Sequence, residues 1–273
     1  MPELPEVETV VRTLRPALVG ATLGRAWASG LPLRMGRRPD LTTLRALCEG
    51  ARIRDLRRRG KYILIDFAPA GGLLVHLGMS GRLRLHDADE PRAKHTHAVW
   101  QLPKSRELRF IDPRRFGWVA AVPDFEALAE LRALGPDPLA ELDAAGLGRM
   151  LAASRAPIKS FLLDQRRIAG LGNIYACEAL FRARIHPRRP ARRARGESER
   201  LLAAIRETLE IGIANRGTSL RDFVDAAGTP GRNVEALVVY GREGEACTVC
   251  GAAIRRTVDA GRSTFFCRRC QRH

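Results

Sequence analysis

The sequence predicts an α+β protein with an N-terminal helix, an antiparallel β-sandwich, and a helical region that ends in a four-cysteine cluster. Between residues 61 and 122, short runs rich in Val, Ile, Leu and aromatic residues alternate with Gly, Pro and charged turns, which favours antiparallel strands. From Phe125 onward the apolar residues recur at helical spacing. Two Cys-x2-Cys pairs close the chain.

The individual elements follow from the same patterns. The first helix is predicted over Glu6–Arg15, and Pro16 is expected to end it. Strands are predicted at Lys61–Phe67, Leu73–Leu77, Arg82–Leu85, His97–Leu102, Leu108–Ile111 and Trp118–Val122. Helices are predicted at Phe125–Leu134, Leu139–Ser154, Asn173–Arg184 and Ser198–Ala214. We interpret Ala133–Pro138 as a connector between domains and Arg188–Arg200 as a solvated basic loop.

Length and composition narrow the class of protein. A chain of 273 residues forms one large or two medium domains. It has no apolar run of 18 or more residues, so we expect no membrane span, and its start lacks the layout of a secretory signal. We therefore expect a cytoplasmic protein, in which the six cysteines are metal ligands or free thiols rather than disulfides.

The charge balance points to an anionic partner. The formal net charge is +17 and the sequence pI is about 11.0. Nucleic acid is the leading candidate for such a basic chain, although charge alone also permits a ribosomal or lipid surface.

The first six residues, Met1-Pro2-Glu3-Leu4-Pro5-Glu6, carry potential chemistry. Removal of Met1 would make the Pro2 nitrogen a terminal secondary amine. An α-amino group titrates near ~7.7–8.0, against about 10.4 for lysine, so part of it is neutral at physiological pH. A neutral amine beside two carboxylates can attack a masked aldehyde to give a Schiff base. The alternative is an ordinary helix start, with Pro5 in the first turn.

The cysteine spacing predicts a metal centre. Cys247-x2-Cys250 and Cys267-x2-Cys270 have the spacing of paired zinc ligands. Four thiolates leave zinc no open position, so we predict one structural Zn²⁺ per chain, with free thiols as the alternative. Cys48 and Cys177 lie among apolar residues and are interpreted as inert.

Five segments together resemble the bacterial formamidopyrimidine-DNA glycosylases of the Fpg/Nei family. They are MPELPEVET at the start, HLGMSG at His76–Gly81, DPRRFG at Asp112–Gly117, GLGNIYA at Gly170–Ala176, and the cysteine cluster. The branch of the family that prefers oxidised pyrimidines usually has Gly where this chain has Leu4.

The resemblance implies an architecture. Residues 1–132 are expected to form a catalytic β-sandwich domain, 133–138 a linker, 139–240 a helix–two-turn–helix domain and 241–273 a zinc-binding β-hairpin. Double-stranded DNA with oxidised bases or abasic sites would lie in the cleft between the halves. The family further implies a monomeric bacterial protein that associates with the nucleoid.

The resemblance also implies a reaction. Pro2 would attack the sugar C1′ and displace the damaged base, while Glu3 supplies a proton and Glu6 supports this geometry. Lys61 would face the lesion and its sugar phosphate, and Arg262 would act in the later elimination step. The expected activity is removal of oxidised purines (8-oxoguanine and formamidopyrimidines), followed by strand cleavage through β- and δ-elimination.

The remaining family-like residues are expected to contact DNA. Met79, Arg114 and Phe116 would fill the gap left by the extruded nucleotide, because chemistry on a base requires taking it out of the stack. His95, Arg155, Lys159 and Asn173 match residues that contact DNA, Asn173 at a helix N-terminus that favours a phosphate. Taken singly, these residues also fit surface or core positions, and the Asn173 motif an ordinary interhelical turn.

Two departures from the family pattern affect the predicted specificity. The loop at Thr218–Asn233 corresponds to the segment that covers the extruded base, and it ends in Gly231-Arg232-Asn233 where relatives often have aromatic residues. Arg221 stands where Lys is common. Two alternatives stay open. One is the same chemistry on oxidised pyrimidines, and the other is a zinc-dependent protein that binds damaged DNA without cleaving it.

Overall fold

The first helix extends past the proline that was expected to end it. The computed structural model describes residues 1–34, 39–220 and 223–272, and in it α1 spans Leu4–Leu18. Pro16 lies in the last turn, where its missing N–H removes only one helical hydrogen bond. That turn is retained because Leu18 is fully buried and the Val19 N–H donates to the Arg15 carbonyl at 3.0 Å. The predicted helix end at Pro16 is therefore wrong.

The strands that follow α1 in the first half of the chain are β1 Ala26–Ala28, β2 Arg52–Arg59, β3 Tyr62–Ala68, β4 Gly72–His76, β5 Arg82–Asp87, β6 Thr96–Leu102, β7 Arg106–Ile111 and β8 Trp118–Val122. They form two four-stranded antiparallel sheets with the strand orders β2-β3-β4-β8 and β1-β6-β7-β5. The six predicted strands match β3 to β8 within two residues at each end. Both sheets, α1 and α2 (Leu41–Cys48) contribute to one buried apolar cluster.

The sequence analysis missed β2 for a physical reason. Only Ile53 and Leu56 are apolar in this strand, and their spacing does not fit a two-residue alternation. The ladder with β3 shifts register between Ile53 and Asp55, and this irregularity allows both apolar residues to be buried.

The second half of the chain is helical and ends in a two-stranded hairpin. Its elements are α3 Ala129–Arg132, α4 Ala144–Ala152, α5 Ile158–Leu163, α6 Asn173–Arg182, α7 Ser198–Ala214, β9 Arg255–Asp259 and β10 Arg262–Phe266. Helix α4 begins later than predicted because the Asp143 side chain caps it through the Gly146 N–H at 2.6 Å. The segment Arg188–Arg200 was interpreted as a solvated basic loop. It contains a 3-10 helix, Ala191–Glu197, in which Ala191 and Ala194 are buried, so that interpretation is wrong.

The chain divides into two compact units. Met1–Arg132 and Asn215–Arg232 form the first unit, and Ala133–Ala214 and Asn233–His273 form the second. The domain boundaries expected from the resemblance stay a prediction. The segment 215–232, called the 215–232 loop below, belongs to the first unit, where Ala226 joins the buried cluster and Phe223 packs against it. Within the described residues, no helix has the length and apolarity that a membrane crossing needs.

Candidate active site and zinc centre

The N-terminal residues with potential chemistry are organised by the start of α1. Glu3 is the N-cap residue in extended conformation, and it forms a capping box with Glu6. The Glu3 N–H donates to Glu6 Oε2 at 2.8 Å. Pro2, Glu3 and Glu6 are all buried, whereas Met1 is 54% exposed. The capping box thus fixes the backbone next to Pro2.

The second carboxylate oxygen of Glu6 holds the 215–232 loop. The Thr218 N–H donates to Glu6 Oε1 at 2.6 Å. Gly217 comes so close that a Cβ there would lie 2.9 Å from Glu6 Cγ, and its φ of +82° also disfavours any other residue. Glu6 therefore connects the backbone of Glu3 to the beginning of the loop.

The 215–232 loop is folded around the fully buried side chain of Asp225. Asp225 Oδ1 accepts the N–H groups of Ala227 and Thr229, both at 2.9 Å, and Oδ2 pairs with Arg216. Ser219 closes the other end of the loop through its hydroxyl, which donates to the Phe223 carbonyl and accepts from the Gly231 N–H. These contacts give the loop a defined shape of its own.

Lys61 lies in the turn between β2 and β3 and is buried beside His76. Burial is the largest cause that lowers the pKa of His76, and together with the positive charges of Arg34 and Lys61 it lowers this pKa from 6.5 to about 3. The imidazole is therefore neutral, and its Nδ1 accepts the Gly78 N–H at 3.0 Å. This hydrogen bond fixes the turn that carries Met79.

Four residues expected to contact DNA are brought together around the buried carboxylate of Asp112. Asp112 Oδ1 accepts from the Ser80 hydroxyl at 2.6 Å and from the Arg114 N–H at 3.2 Å, and Oδ2 accepts from the Gly117 N–H at 2.7 Å. Its own N–H donates to the carbonyl of His95. The four residues are Met79, His95, Arg114 and Phe116, and each of them is exposed. The Arg114 guanidinium lies 4.7 Å from the centre of the Phe116 ring.

In the second unit, Lys159 and Asn173 converge on the hairpin. Lys159 Nζ donates to the Ser263 carbonyl at 2.9 Å and to Thr264 Oγ1 at 2.7 Å, and Asn173 Nδ2 donates to the same Ser263 carbonyl at 2.9 Å. Arg262, the neighbour of Ser263, is exposed and lines a cavity of about 230 Å³ together with Lys159. Lys159 is buried, so the alternative of a solvated surface lysine is wrong.

The GLGNIYA segment forms a turn that leads into α6, as expected. Gly172 is the N-cap residue and Asn173 is the first helical residue. The side chain of Gln165 holds this turn, because it accepts the Gly170 N–H at 2.9 Å and donates to the Leu171 carbonyl at 2.7 Å. Arg155 is exposed in the loop before α5.

The four cysteines form a site that fits a metal ion. The sulfur atoms of Cys247, Cys250, Cys267 and Cys270 all lie within 4.8 Å of one another. The Sγ–Sγ distances are 3.8 Å for Cys247–Cys270 and 3.5 Å for Cys250–Cys267. Sulfurs at ~2.3 Å from a tetrahedral zinc would stand about 3.8 Å apart. The cluster can therefore hold a structural zinc with a closed coordination shell.

Arg232 and Asn233, which depart from the family pattern, differ in their exposure to solvent. Arg232 is exposed. Asn233 is 3% exposed, lies in the second unit and approaches the Tyr175 hydroxyl with its Nδ2 at 3.5 Å. The Asn233 side chain therefore does not point into solvent. Arg221 lies outside the described residues.

Comparison with known proteins agrees with this geometry. Family models match residues 1–119 (formamidopyrimidine-DNA glycosylase N-terminal domain), 134–224 (the H2TH domain of the same glycosylase) and 244–272 (zinc finger found in FPG and IleRS). The formamidopyrimidine-DNA glycosylase of Moorella thermoacetica is 49% identical over 262 residues, which are 94% of each chain. The chain belongs to the formamidopyrimidine-DNA glycosylase family.

Two solved structures of similar glycosylases also match, each at 34% sequence identity. A Lactococcus lactis FPG variant in complex with Fapy-dG-containing DNA superimposes with a TM-score of 0.91, and the match covers 100% of both chains. MutM in complex with DNA containing carbocyclic 8-oxo-G gives a TM-score of 0.90 with the same coverage.

The sequence analysis assigned no role to three residues that shape the site in this glycosylase. Thr218 acts through its backbone N–H, which no side-chain pattern reveals. His76 was recognised only as part of a predicted strand, and it does lie at the end of β4. Asp112 carried a usable signal, because an Asp side chain that begins a Pro-containing turn can accept the N–H of the residue two positions on, here Arg114.

Proposed function

We propose that this protein is a DNA glycosylase that excises 8-oxoguanine and formamidopyrimidines from double-stranded DNA and then cleaves the abasic strand as a lyase. Its membership of the formamidopyrimidine-DNA glycosylase family supports the first activity. The DNA in the two similar structures contains Fapy-dG and carbocyclic 8-oxo-G, which supports oxidised purines as substrates.

The observation that carries the proposal is the arrangement at the N-terminus. Pro2 is followed by a Glu3–Glu6 capping box, and Glu6 also binds the 215–232 loop. After removal of Met1, the Pro2 nitrogen would be a terminal amine with carboxylates within a few residues. An amine of this kind needs no burial to be partly neutral near pH 7.

The proposed reaction uses that amine as nucleophile. The Pro2 nitrogen attacks C1′, the bond between C1′ and the base nitrogen breaks, and the departing base takes the N–H proton that Pro2 gives up. Glu3 donates the proton that opens the sugar ring, which leaves an iminium ion between Pro2 and C1′. Loss of a C2′ proton then expels the 3′ phosphate, loss of the C4′ proton expels the 5′ phosphate, and addition of water to the iminium ion frees Pro2.

The DNA contacts are assigned to the residues grouped in each unit. In the first unit, Met79, Arg114 and Phe116 would occupy the space of the extruded nucleotide, and His95 would contact the backbone near them. Unstacking a base costs a few kcal/mol, and these side chains would offset part of it. Lys61 would face the lesion from its buried turn. The phosphate contacts in the second unit are assigned to Arg155, Lys159, Asn173 and Arg262.

Zinc would act on structure and not on chemistry. Bound by Cys247, Cys250, Cys267 and Cys270, it would hold the hairpin that carries Arg262. Because Lys159 and Asn173 both donate to the Ser263 carbonyl, the hairpin and the phosphate-binding residues form one connected group.

Borohydride trapping on a duplex with a single 8-oxoguanine tests the proposal. The wild-type protein should form a covalent adduct that contains Pro2, as mass spectrometry of the trapped peptide would show. Pro2→Gly should trap far more weakly, and N-terminal acetylation should abolish trapping while lesion binding persists. Trapping that survives acetylation would assign the nucleophile to another residue, with Lys61 tested first.

The same assay separates the two alternatives. A duplex with an oxidised pyrimidine should be trapped more slowly than one with 8-oxoguanine. Equal or faster trapping would favour the pyrimidine branch of the family. Tight binding of the damaged duplex without any adduct would favour a protein that binds damage without cleaving it.

A further inference from the structure

A second basic pocket lies on the hairpin and has no part in the proposed reaction. Its cavity has a volume of about 500 Å³. The wall is formed by His186, Phe266 and four arginines, Arg188, Arg255, Arg256 and Arg268. We call it the arginine pocket.

Positive charge exceeds negative charge in this pocket. Arg188 forms an ion pair with Asp259 at 2.8 Å. Arg256 approaches Glu243 at 3.5 Å, and the side chains of Arg256 and Glu243 are each about half exposed. Arg255 and Arg268 are exposed, and in the described parts of the chain neither forms a salt bridge with a carboxylate. The pocket therefore offers two guanidinium groups to an external anion.

The floor of the arginine pocket has a fixed shape. The ring of Phe266 packs edge-on against His186 with a centroid distance of 4.8 Å, and both residues are at least nine-tenths buried. The strand that carries Arg255 and Arg256 is paired along its whole length with β10. The guanidinium groups thus project from a rigid base, which lowers the ordering cost of binding.

The arginine pocket adjoins the cavity that contains Lys159 and Arg262. Asp259 lines that first cavity and forms the ion pair with Arg188 on the wall of the second. This ion pair therefore connects the walls of the two pockets. A polyanion with regularly spaced charges could occupy both, and guanidinium groups match phosphate oxygens well.

We propose that the arginine pocket binds backbone phosphates of the DNA duplex that flank those held near Lys159 and Arg262. This assignment rests on the proposed function, because it extends the footprint of the same substrate. Arg255 and Arg268 make the contacts, and the Arg188–Asp259 pair separates neighbouring phosphates. The pocket adds affinity for the duplex and takes no part in base excision.

The test compares wild type with Arg255→Ala/Arg268→Ala on a lesion duplex of about three helical turns, at ~10.5 bp per turn. Affinity is measured over a range of salt concentrations. Each phosphate contact contributes about 0.9 to the slope of log K against log salt, so the double variant should lower the slope by about one to two. Single-turnover excision at saturating protein should equal that of wild type.

A matched control removes two exposed arginines elsewhere in the same unit, Arg149→Ala/Arg193→Ala. The same loss in this control would show a general effect of net charge and would overturn the proposal. An unchanged slope in the double variant would overturn it too. Arg255→Ala alone, which leaves the neighbourhood of Cys267 intact, should give about half of the change. Excision of 8-oxoguanine by the wild type is measured separately. Failure of the proposed phosphate binding at the arginine pocket is therefore distinguishable from failure of the proposed glycosylase activity.

Discussion

Glu6 and Thr218 are 212 positions apart, yet the Thr218 N–H donates to the Glu6 carboxylate at 2.6 Å. The other oxygen of the same carboxylate accepts the Glu3 N–H at 2.8 Å. One buried side chain therefore fixes both the backbone beside Pro2 and the start of the 215–232 loop. The position of the loop and the geometry of the N-terminus cannot change independently.

Glu6→Gln should disrupt this connection. The carboxylate accepts two N–H groups, whereas an amide offers one oxygen and places an N–H₂ group against the second donor. Hydrogen bonds to charged groups contribute about 1.5–3 kcal/mol. We expect the rate of borohydride trapping to fall at least about tenfold, with a smaller loss in binding of damaged DNA.

Gly217→Ala provides the matched control for that connection. The added Cβ would meet Glu6 at 2.9 Å, so it should disturb the same contact from the other side. If both changes act on one connection, the double variant should be little worse than the single variants. Fully additive losses would show that Glu6 and the loop contribute separately.

The fold was predictable to the extent that the residue patterns were regular. Strands β3 to β8 and helix α7 follow continuous apolar patterns, and the structure confirms them. Strand β2 was missed because its irregular ladder hides the alternation. The helix end at Pro16 was wrong because burial of Leu18 outweighs the loss of one hydrogen bond.

The candidate site was less predictable than the fold. Family-like motifs supplied Glu3, Glu6 and the four cysteines, but they gave no information about contacts over long sequence separations. The Thr218 N–H and the Asp225 scaffold depend on backbone geometry. The burial of Asn233 against Tyr175 follows from packing in the second unit, which the sequence pattern of the loop did not indicate.

Asp112→Asn should weaken DNA binding more than trapping by Pro2. Asp112 accepts three hydrogen bonds from the turns that carry Met79, Arg114 and Phe116. An amide keeps only one of its two acceptor positions, so the cost should be about 1–3 kcal/mol. The expected result is a higher KM and a lower affinity for lesion duplex, with single-turnover excision at saturating protein changed less. A pure loss of the chemical rate would contradict this assignment.

His76 should make stability depend on pH. Burial, together with the charges of Arg34 and Lys61, lowers the pKa of His76 from 6.5 to about 3 in the folded state. Between these values the unfolded chain binds a proton that the folded chain does not, so stability is full above pH 6.5 and falls as pH decreases toward 3. This group should contribute a slope of up to about 1.4 kcal/mol per pH unit.

His76→Asn tests that expectation. The Asn oxygen can accept the Gly78 N–H in place of Nδ1, but it does not titrate in this range. Urea unfolding at about pH 7.5 and about pH 5 should give a smaller difference in stability for the variant than for wild type. The same pH dependence in both proteins would exclude His76 as its source.

Removal of zinc should abolish DNA binding and spare the reactivity of Pro2. Four thiolates leave no coordination position for water or substrate, so the metal supports only the hairpin. Elemental analysis should give one zinc per chain, and Cys250→Ser should lose it. We expect chelated protein to lose affinity for lesion duplex while the Pro2 amine still reacts with a small aldehyde under borohydride. Full affinity without zinc would make the hairpin dispensable for binding.

The folded conformation of the 215–232 loop should depend on Asp225 far more than on Arg216. Asp225 is fully buried and binds two backbone N–H groups, at Ala227 and Thr229, that would otherwise lack an acceptor. Leaving a buried donor unpaired costs about 1–3 kcal/mol, so Asp225→Ala should open the loop locally. Arg216 has a side chain that is 48% exposed, so solvent screens its ion pair.

Arg216 also adopts a φ of 60°, a conformation that glycine accepts without strain, so Arg216→Gly should regain part of what the lost ion pair costs. Hydrogen exchange provides the measurement, because protection of the Ala227 and Thr229 amides reports directly on Asp225 Oδ1. We expect Asp225→Ala to remove that protection and to slow 8-oxoguanine excision, and Arg216→Gly to change both only slightly. Equal loss of protection in the two variants would mean that the ion pair, and not the backbone hydrogen bonds, holds the loop together.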